Sequence, residues 1–295
     1  MKKLLAFLST VVLIFACALG VAGCKKNSSG KLSVYVPDGA PALSVATLAD
    51  SDKFAVHVID ANTIVSKVTG ANPEADIAIM PVNAAVKMLG SGKTYRMLGT
   101  VTHGNLFLLK QEGEEDISTV ADLQKLENKT VGVISLANVP GLTFKVILSE
   151  NRMLDKVNLV NVTAQQAAPV TKDCDYFVVS EPMATTKANA TSLSVAGSLQ
   201  TLHGGEDGYP QAVAVAKNSV IESRSDEIAA FMNSFAKTEA WLTDENITGQ
   251  QIASAIDKMT DGDLAHMFNA NNLTKPVIAN CGIKFVPSAQ CKTEV

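Results

Sequence analysis

The 295-residue sequence predicts an α/β protein, because segments with the pattern of buried strands alternate with segments of helical periodicity. The clearest unit spans residues 130–148, where a short apolar, β-branched run precedes a loop of small residues and then a helix. Two long extended segments, near 97–109 and 200–216, indicate that the chain leaves one sheet for a second and later returns. This length supplies a core for one large or two ordinary domains.

The amino end has the pattern of a secretory signal. Residues 1–23 contain two lysines, a long apolar run and small residues before a cysteine. The run ends in VAGC, which resembles a bacterial lipobox, where the signal is cut before the cysteine and Cys24 carries lipid. An uncleaved membrane anchor is the alternative, since the apolar run is only slightly shorter than a bilayer span. Either interpretation places the body outside the cytoplasm, with residues 24–30 as a polar tether.

Charge and composition argue against several partners. The formal net charge is −4, and removal of Lys2 and Lys3 with the signal would lower it to −6. No basic block occurs, so we do not expect nucleic acid as a partner. The arginines are Arg96, Arg152 and Arg224, and none lies in a loop expected to form a site. An anion would therefore depend on backbone amides, hydroxyls and helix ends.

The cysteines do not have the number or spacing of a disulfide framework. Removal of the signal leaves Cys174, Cys281 and Cys291 in the folded body. An odd number argues against a set of disulfides, although Cys281 and Cys291 could pair, and Cys174 is expected simply to be packed. No spacing typical of a metal site is present, and no cofactor is predicted.

The first part of the body repeats a strand, loop and helix pattern. Strands are predicted at 32–36, 54–59 and 76–80. Right-handed connections between parallel strands bring the following loops to one edge of a sheet, where a ligand can bind. The candidate ligand residues at this edge are Asp38, Gly39, Ala40 and Asn83. Gly39 would let the backbone approach a ligand, and Asn83 can donate and accept hydrogen bonds; turn formation and helix capping are the alternative roles.

A second α/β series follows the first extended segment. A helix is predicted near 118–126 and further strands at 157–162 and 176–179. The candidate ligand residues of this half are Ser135, Ala137, Asn138 and Glu181. Asn138 also fits the N-cap of the next helix. Glu181, a carboxylate beside a proline at a strand end, favours a ligand with an amine, amidine or ring-nitrogen donor.

Two further candidates lie in the extended segments. His103 either lines the space between the two sheets or fills the crossing itself. Tyr209 either stacks on an aromatic ligand or serves as a side chain of the hinge. The chain from residue 219 onward is predicted to be helical, and its last 15 residues to add a strand or extended cover.

Several motifs resemble a known family. VYVPDGAPAL, DIAIMPVNAAVKM, GTVTHGNLFLL, LANVPGLTFKVIL, VVSEP and GYPQAVAVAKN are similar, in order, to landmarks of type II solute-binding lipoproteins of ABC importers. The branch in question includes sulfonate, taurine, nitrate and thiamine-pyrimidine-precursor binding proteins. The resemblance covers nearly all of residues 31–295. It implies a two-lobed type II periplasmic-binding-protein fold with two hinge crossings, lobe 1 comprising 31–102 and 206–295 and lobe 2 comprising 103–205.

The resemblance also implies a function. A small organic molecule or anion would be captured between the lobes by hinge closure and delivered to an ABC permease and its ATPase. The protein would be a monomer, attached to the membrane through the lipid on Cys24, and not an enzyme. An enzyme on the same scaffold, synthase-like or lyase-like, and a ligand-sensing surface lipoprotein are the alternatives. The export signal and the lack of a paired nucleophile and base argue against the enzyme.

Overall fold

Two β-sheets organise the part of the chain that the structure, a computed structural model, describes: residues 30–92, 94–162, 173–204 and 208–291. The predicted signal at 1–23, the predicted lipid attachment at Cys24 and the predicted tether up to residue 29 lie outside these residues. Within the described ranges no helix is long and apolar enough to cross a membrane.

The first sheet has six strands. They are β1 (Leu32–Pro37), β2 (Phe54–Ile59), β3 (Ile77–Pro81), β4 (Tyr95–His103), β10 (Pro210–Lys217) and β11 (Ile283–Pro287). Their order is β11-β4-β10-β3-β1-β2. β1 is parallel to both β2 and β3, whereas β10 is antiparallel to β3 and β4. The three strands predicted for this region therefore form a parallel sheet, as expected.

The second sheet has five strands. They are β5 (Leu106–Lys110), β6 (Thr130–Ile134), β7 (Asn158–Val162), β8 (Tyr176–Ser180) and β9 (Ser194–Ser198). Their order is β7-β6-β8-β5-β9. β6 is parallel to β7 and β8, and β5 is antiparallel to β8 and β9. The second sheet repeats the arrangement of the first. In each sheet, the strand that enters from a crossing, β10 in the first and β5 in the second, runs antiparallel to its neighbours.

Helices cover the sheets. They are α1 (Ala40–Leu43), α2 (Ile64–Val68), α3 (Val82–Ser91), α4 (Val139–Glu150), α5 (Met183–Ala190), α6 (Leu199–His203), α7 (Asn218–Ser223), α8 (Ser225–Thr243), α9 (Gly249–Met259) and α10 (Lys275–Asn280). Short 3₁₀ helices occupy Ala46–Leu48, Val120–Leu126 and Leu154–Lys156. The organising unit predicted at 130–148 is confirmed as β6 followed by α4.

Apolar side chains fill both faces of each sheet. Phe231 and Phe235 of α8 are buried against the first sheet. In the second sheet, the neighbouring Tyr176 and Phe177 belong to different core clusters, because successive side chains of a strand point to opposite faces. Such burial on both faces explains the nearly continuous apolar strands in the sequence.

Two predicted elements differ from the structure. The stretch 200–216 was predicted to be extended and broken by HGGEDGYP, but among its described residues the first part is helix α6, and the extended part is β10. Leu199 and Leu202 are both buried, and their spacing of three residues suits one face of a helix. The helix predicted near 118–126 is a 3₁₀ helix, and a capping box between Thr119 and Asp122 fixes its start.

The two crossings run side by side. The backbone N–H of Gly104 donates to the carbonyl of Tyr209 at 2.9 Å, and Pro210 pairs with His103. Gly104 has φ of 68°, a conformation that glycine adopts without a steric penalty, and Asn105 follows with φ of 88°. The predicted division into lobes at 102/103 and 205/206 stays a prediction, and residues 205–207 lie outside the described ranges.

Candidate ligand-binding site

A cavity of about 150 Å³ lies where the strand ends of the first sheet face the start of α4 from the second half. Its lining residues are Pro37, Asp38, Pro41, Ala61, Pro81, Thr102, Val139, Gln211 and Ala212. Typical pockets for drug-sized ligands hold roughly 300–1,000 Å³. The cavity therefore suits a small molecule. We call it the cleft pocket.

The lining of the cleft pocket is poor in hydrogen-bond donors. Three of its residues are prolines, which have no backbone N–H. The backbone N–H of Asp38 is already used, since it donates to the carbonyl of Ile59 at 2.9 Å. Asp38, Thr102 and Gln211 provide the polar side chains, and no lysine or arginine is found among the lining residues.

The side chain of Asp38 is held by two residues of the loop after α9. Nδ1 of His266 lies 3.1 Å from Oδ1 of Asp38, and the backbone N–H of Met267 donates to Oδ2 at 2.8 Å. The Asp38 side chain is only 9% exposed. Gly39 beside it has φ of 101°, and a Cβ added there would lie 3.2 Å from Sδ of Met267. The loop after β1 is thus fixed by a segment more than 200 residues later in the chain.

Asn83 and Asn138 approach each other from the two halves. Nδ2 of Asn83 lies 3.5 Å from Oδ1 of Asn138. Asn138 occupies the N-cap of α4, as predicted, but its side chain makes no capping hydrogen bond. The second helical residue is Pro140, so one of the two usual amide partners of a cap is missing. The Asn138 side chain therefore remains directed to its neighbour across the cleft.

Ser135 and Ala137 lie in the loop between β6 and α4. Ser135 has φ of 59°, and its carbonyl accepts the backbone N–H of Asn138 at 2.8 Å in a tight turn. Ala137 and Asn138 are exposed, whereas Val139 reaches the cleft pocket. Ala40, on the opposite side, is buried at the start of α1. Of the predicted residues, Asp38 lines the cleft pocket, and Asn83 and Asn138 approach each other from the two halves. Gly39, Ala40, Ser135 and Ala137 are not among the lining residues, and their contact with a ligand stays a prediction.

No protein-family model matches the chain, and no curated protein matches it. Solved structures do. An ABC transporter protein from Parabacteroides distasonis superimposes with a TM-score of 0.65 at 17% identity, covering 89% of this chain and 88% of the other. The periplasmic aliphatic sulphonate binding protein SsuA from Escherichia coli gives 0.64 at 14% identity, covering 88% and 81%. SsuA from Xanthomonas axonopodis pv. citri, bound to MOPS, gives 0.61 at 10% identity, covering 85% and 84%.

The chain has the two-lobed fold of a periplasmic binding protein. Identities this low show the shared fold alone, and the likeness extends over more than four fifths of each chain compared. In this binding-protein fold, the cleft pocket lies at the carboxyl ends of parallel strands, the usual place for a ligand in an open α/β sheet.

The carboxylate of Glu181 already accepts hydrogen bonds from other residues of the protein. Its side chain accepts hydrogen bonds from the backbone N–H of Thr185 at 3.1 Å, the hydroxyl of Thr185 at 2.7 Å and Nδ2 of Asn280 at 3.1 Å. Glu181 is 2% exposed and does not line the cleft pocket. The carboxylate joins the end of β8 to the end of α10, which belongs to the other half.

His103 and Tyr209 are buried at the crossings. Nε2 of His103 lies 3.0 Å from Oγ1 of Thr100, and His103 borders a different cavity, of about 300 Å³, together with Glu239 and Lys284. Tyr209 is 5% exposed in the core of the second sheet, and this burial raises the pKa of its hydroxyl well above the usual value. Neither residue is among those that line the cleft pocket.

The three cysteines of the body are buried free thiols, so Cys281 and Cys291 do not pair here and Cys174 is packed as predicted. Burial raises the pKa of the Cys281 thiol, and the nearby Glu181 carboxylate raises it further. Across the described ranges, no group of three or more histidine, cysteine or acidic side chains is placed to hold a metal ion.

Of the nine residues that line the cleft pocket, sequence reasoning named only Asp38, and it also missed His266 and Met267, which hold that side chain. Thr102 and Gln211 lie at the start or end of strands, and His266 and Met267 lie in a loop after α9. Nothing local in the sequence marks these residues. The return of this loop to the edge of the first sheet appears only in the tertiary structure, in the parallel bridge between Val58 and Thr260 and in the contacts of Asp38 with His266 and Met267.

Proposed function

We propose that the protein is an extracytoplasmic substrate-binding lipoprotein of an ABC importer. The observation that carries the proposal is the cleft pocket, which is lined by residues at the strand ends of the first sheet and by Val139 at the start of α4 from the second half. Its cargo is a small organic molecule or anion. The partners are a permease and its ATPase, and no covalent chemistry is involved.

Binding works by closure of the two halves over the ligand. The backbone hydrogen bond from Gly104 to Tyr209 links the two crossings, and small dihedral changes there would rotate one half against the other. Ligand shifts the population toward the closed form by as much as its affinity differs between the two forms. The permease then recognises the closed arrangement.

A thermal unfolding screen of the full chain tests the binding function. The panel contains ethanesulfonate, taurine, nitrate, aminopyrimidines and purines. A ligand that binds only the folded chain raises its stability by about 2.7 kcal/mol at 100 times its Kd. A clear rise in midpoint with one compound, recovered chemically unchanged, supports a binding protein, whereas turnover of that compound would favour an enzyme.

Ala61 provides the matched variant for this screen. It is exposed and lines the cleft pocket, so Ala61→Trp should fill the pocket with little effect on the unliganded fold. Ala71 is equally exposed and does not line the pocket. Ala71→Trp should therefore retain the ligand-induced rise that Ala61→Trp loses. Equal rises in both variants would place the ligand elsewhere.

The anchor is tested separately with radiolabelled palmitate in a bacterial host. The wild-type chain should incorporate label and fractionate with membranes. Cys24→Ala should lose the label, because the thiol of Cys24 is the proposed attachment atom. Incorporation of label into the Cys24→Ala variant would contradict the lipoprotein assignment.

A further inference from the structure

Asp38 is the one charged side chain among the described residues that line the cleft pocket, and its hydrogen bonds define how it can act. Its two oxygens each accept one hydrogen bond from the loop after α9. A carboxylate offers about four acceptor positions. The remaining positions are available to a donor in the pocket.

The contacts of His266 show that Asp38 acts as an acceptor. Nε2 of His266 lies 2.8 Å from Oγ1 of Thr260, a hydroxyl that also lies 2.8 Å from the carbonyl of Ile256. With a hydrogen on Nδ1, the ring donates to Oδ1 of Asp38, and the Thr260 hydroxyl fixes the opposite side of the ring. Asp38 is the acceptor in this pair.

The other groups around His266 fit this arrangement. Oδ1 of Asp257, on α9, lies 3.7 Å from Nε2 of His266. Lys258, the nearest lysine in sequence, is paired with Asp50 at 2.7 Å. The His266 side chain is 13% exposed, so solvent screens its contact with Asp38 only in part. The pair fixes the carboxylate at the edge of the pocket.

A second acceptor lies beside the cleft pocket, two residues after the lining Pro81. Oδ1 of Asn83 is buried and accepts no hydrogen bond from the described residues, while its Nδ2 faces Asn138. A buried acceptor without a donor costs free energy, and a ligand N–H can remove that cost. Acceptors at Asp38 and Asn83, with three prolines in the lining, make the cleft better suited to donors than to anions.

We propose that the cleft recognises a small molecule through N–H donors, as in an amine, amidine or amide, with Asp38 as the principal acceptor. His266 is a positioning residue that orients Asp38. This inference rests on the proposed binding function and assigns the chemical class of its ligand. It transfers to Asp38 the role that the sequence suggested for Glu181, whose carboxylate is occupied by the protein's own donors.

Two isosteric ligand series test the inference with the full chain. The first is acetamidinium, acetamide and acetate, and the second is benzamidinium, benzamide and benzoate. Ligand-observed NMR titration at constant ionic strength measures the affinities. We expect the amidinium member to bind most tightly and the carboxylate member most weakly in at least one series. Asp38→Asn should weaken amidinium binding about tenfold and leave carboxylate binding equal or stronger.

His57 offers the matched control for His266. Nδ1 of His57, in β2, lies 2.8 Å from Oδ2 of Asp261, which belongs to the same loop as His266; neither residue of this similar pair lines the pocket. His266→Gln should reduce the ratio of amidinium to amide affinity several-fold, and His57→Gln should leave that ratio unchanged. A general loss of folding would affect both ratios alike, so the ratio separates positioning from stability.

The outcomes separate this inference from the proposed function. Tighter binding of the carboxylates, or of sulfonates in the thermal screen, with no effect of Asp38→Asn would overturn the donor class and leave a binding protein. An unchanged order of affinities in Asp38→Asn would also overturn it. No binding by either series and no rise with any screened compound would overturn both.

Discussion

Asn280→Ala is a direct test of the contact that joins the two halves away from the cleft pocket. Asn280 ends α10, and its Nδ2 donates to Oε1 of Glu181 at 3.1 Å. Glu181 is 2% exposed, so water does not readily replace a donor that is removed. Two donors, both from Thr185, would remain on the carboxylate.

The expected loss in free energy of unfolding follows from the kind of hydrogen bond that Asn280→Ala removes. A hydrogen bond to a charged group contributes about 1.5–3 kcal/mol to the free energy of unfolding. We expect a loss of about 2 kcal/mol for Asn280→Ala, since Thr185 still satisfies part of the carboxylate. For a chain of this size, that corresponds to a fall in Tm of about 3–4 °C.

Asn246→Ala is the matched control. Nδ2 of Asn246 also donates to a carboxylate, Oδ1 of Asp244 at 3.0 Å, but both residues are exposed. Its removal should cost less than about 0.5 kcal/mol, because water replaces the bond. Urea unfolding followed by circular dichroism measures both variants. A free energy of unfolding for Asn280→Ala within 0.5 kcal/mol of wild type, or an equal loss in both variants, would refute the argument from burial.

Three further predictions concern the β1 loop, the second core and acid stability. Gly39→Ala should cost about 1–3 kcal/mol in urea unfolding, because φ of 101° disfavours a side chain and Sδ of Met267 lies 3.2 Å from the new Cβ; an unchanged midpoint would contradict this. Phe144→Ala should cost about 3–5 kcal/mol, since the ring is fully buried; a loss below 1 kcal/mol would show that the core refills the space. Lys125 and two bonds from Thr119 lower the pKa of Asp122 from 3.8 to about 2. Its contribution to stability is therefore present above about pH 4 and lost as the pH falls toward 2, so Asp122→Asn should lower Tm at pH 7 and not at pH 2; an equal effect at both would contradict this.

Much of the fold was readable from local patterns. Parallel strands buried on both faces leave apolar, β-branched runs such as 130–134, and the following small residues and Pro140 mark the start of α4. Short elements were harder to assign from the sequence when their apolar residues fit more than one periodicity. Helix α6 was predicted as extended for this reason, and β9 was not predicted because Gly197 and its serines give a weak strand pattern.

The sequence by itself determined the α/β class, the order of most elements and the strand-end loops from which Asp38 and Asn138 reach the cleft. These features depend on periodicity and on neighbours a few residues away. Only the tertiary structure decided which of the two carboxylates faces the cleft pocket. Glu181 finds its donors in Thr185 and in Asn280, 99 residues later, whereas Asp38 is oriented by His266, 228 residues later. Contacts across such separations depend on how the chain returns to each sheet, and no local pattern records that path.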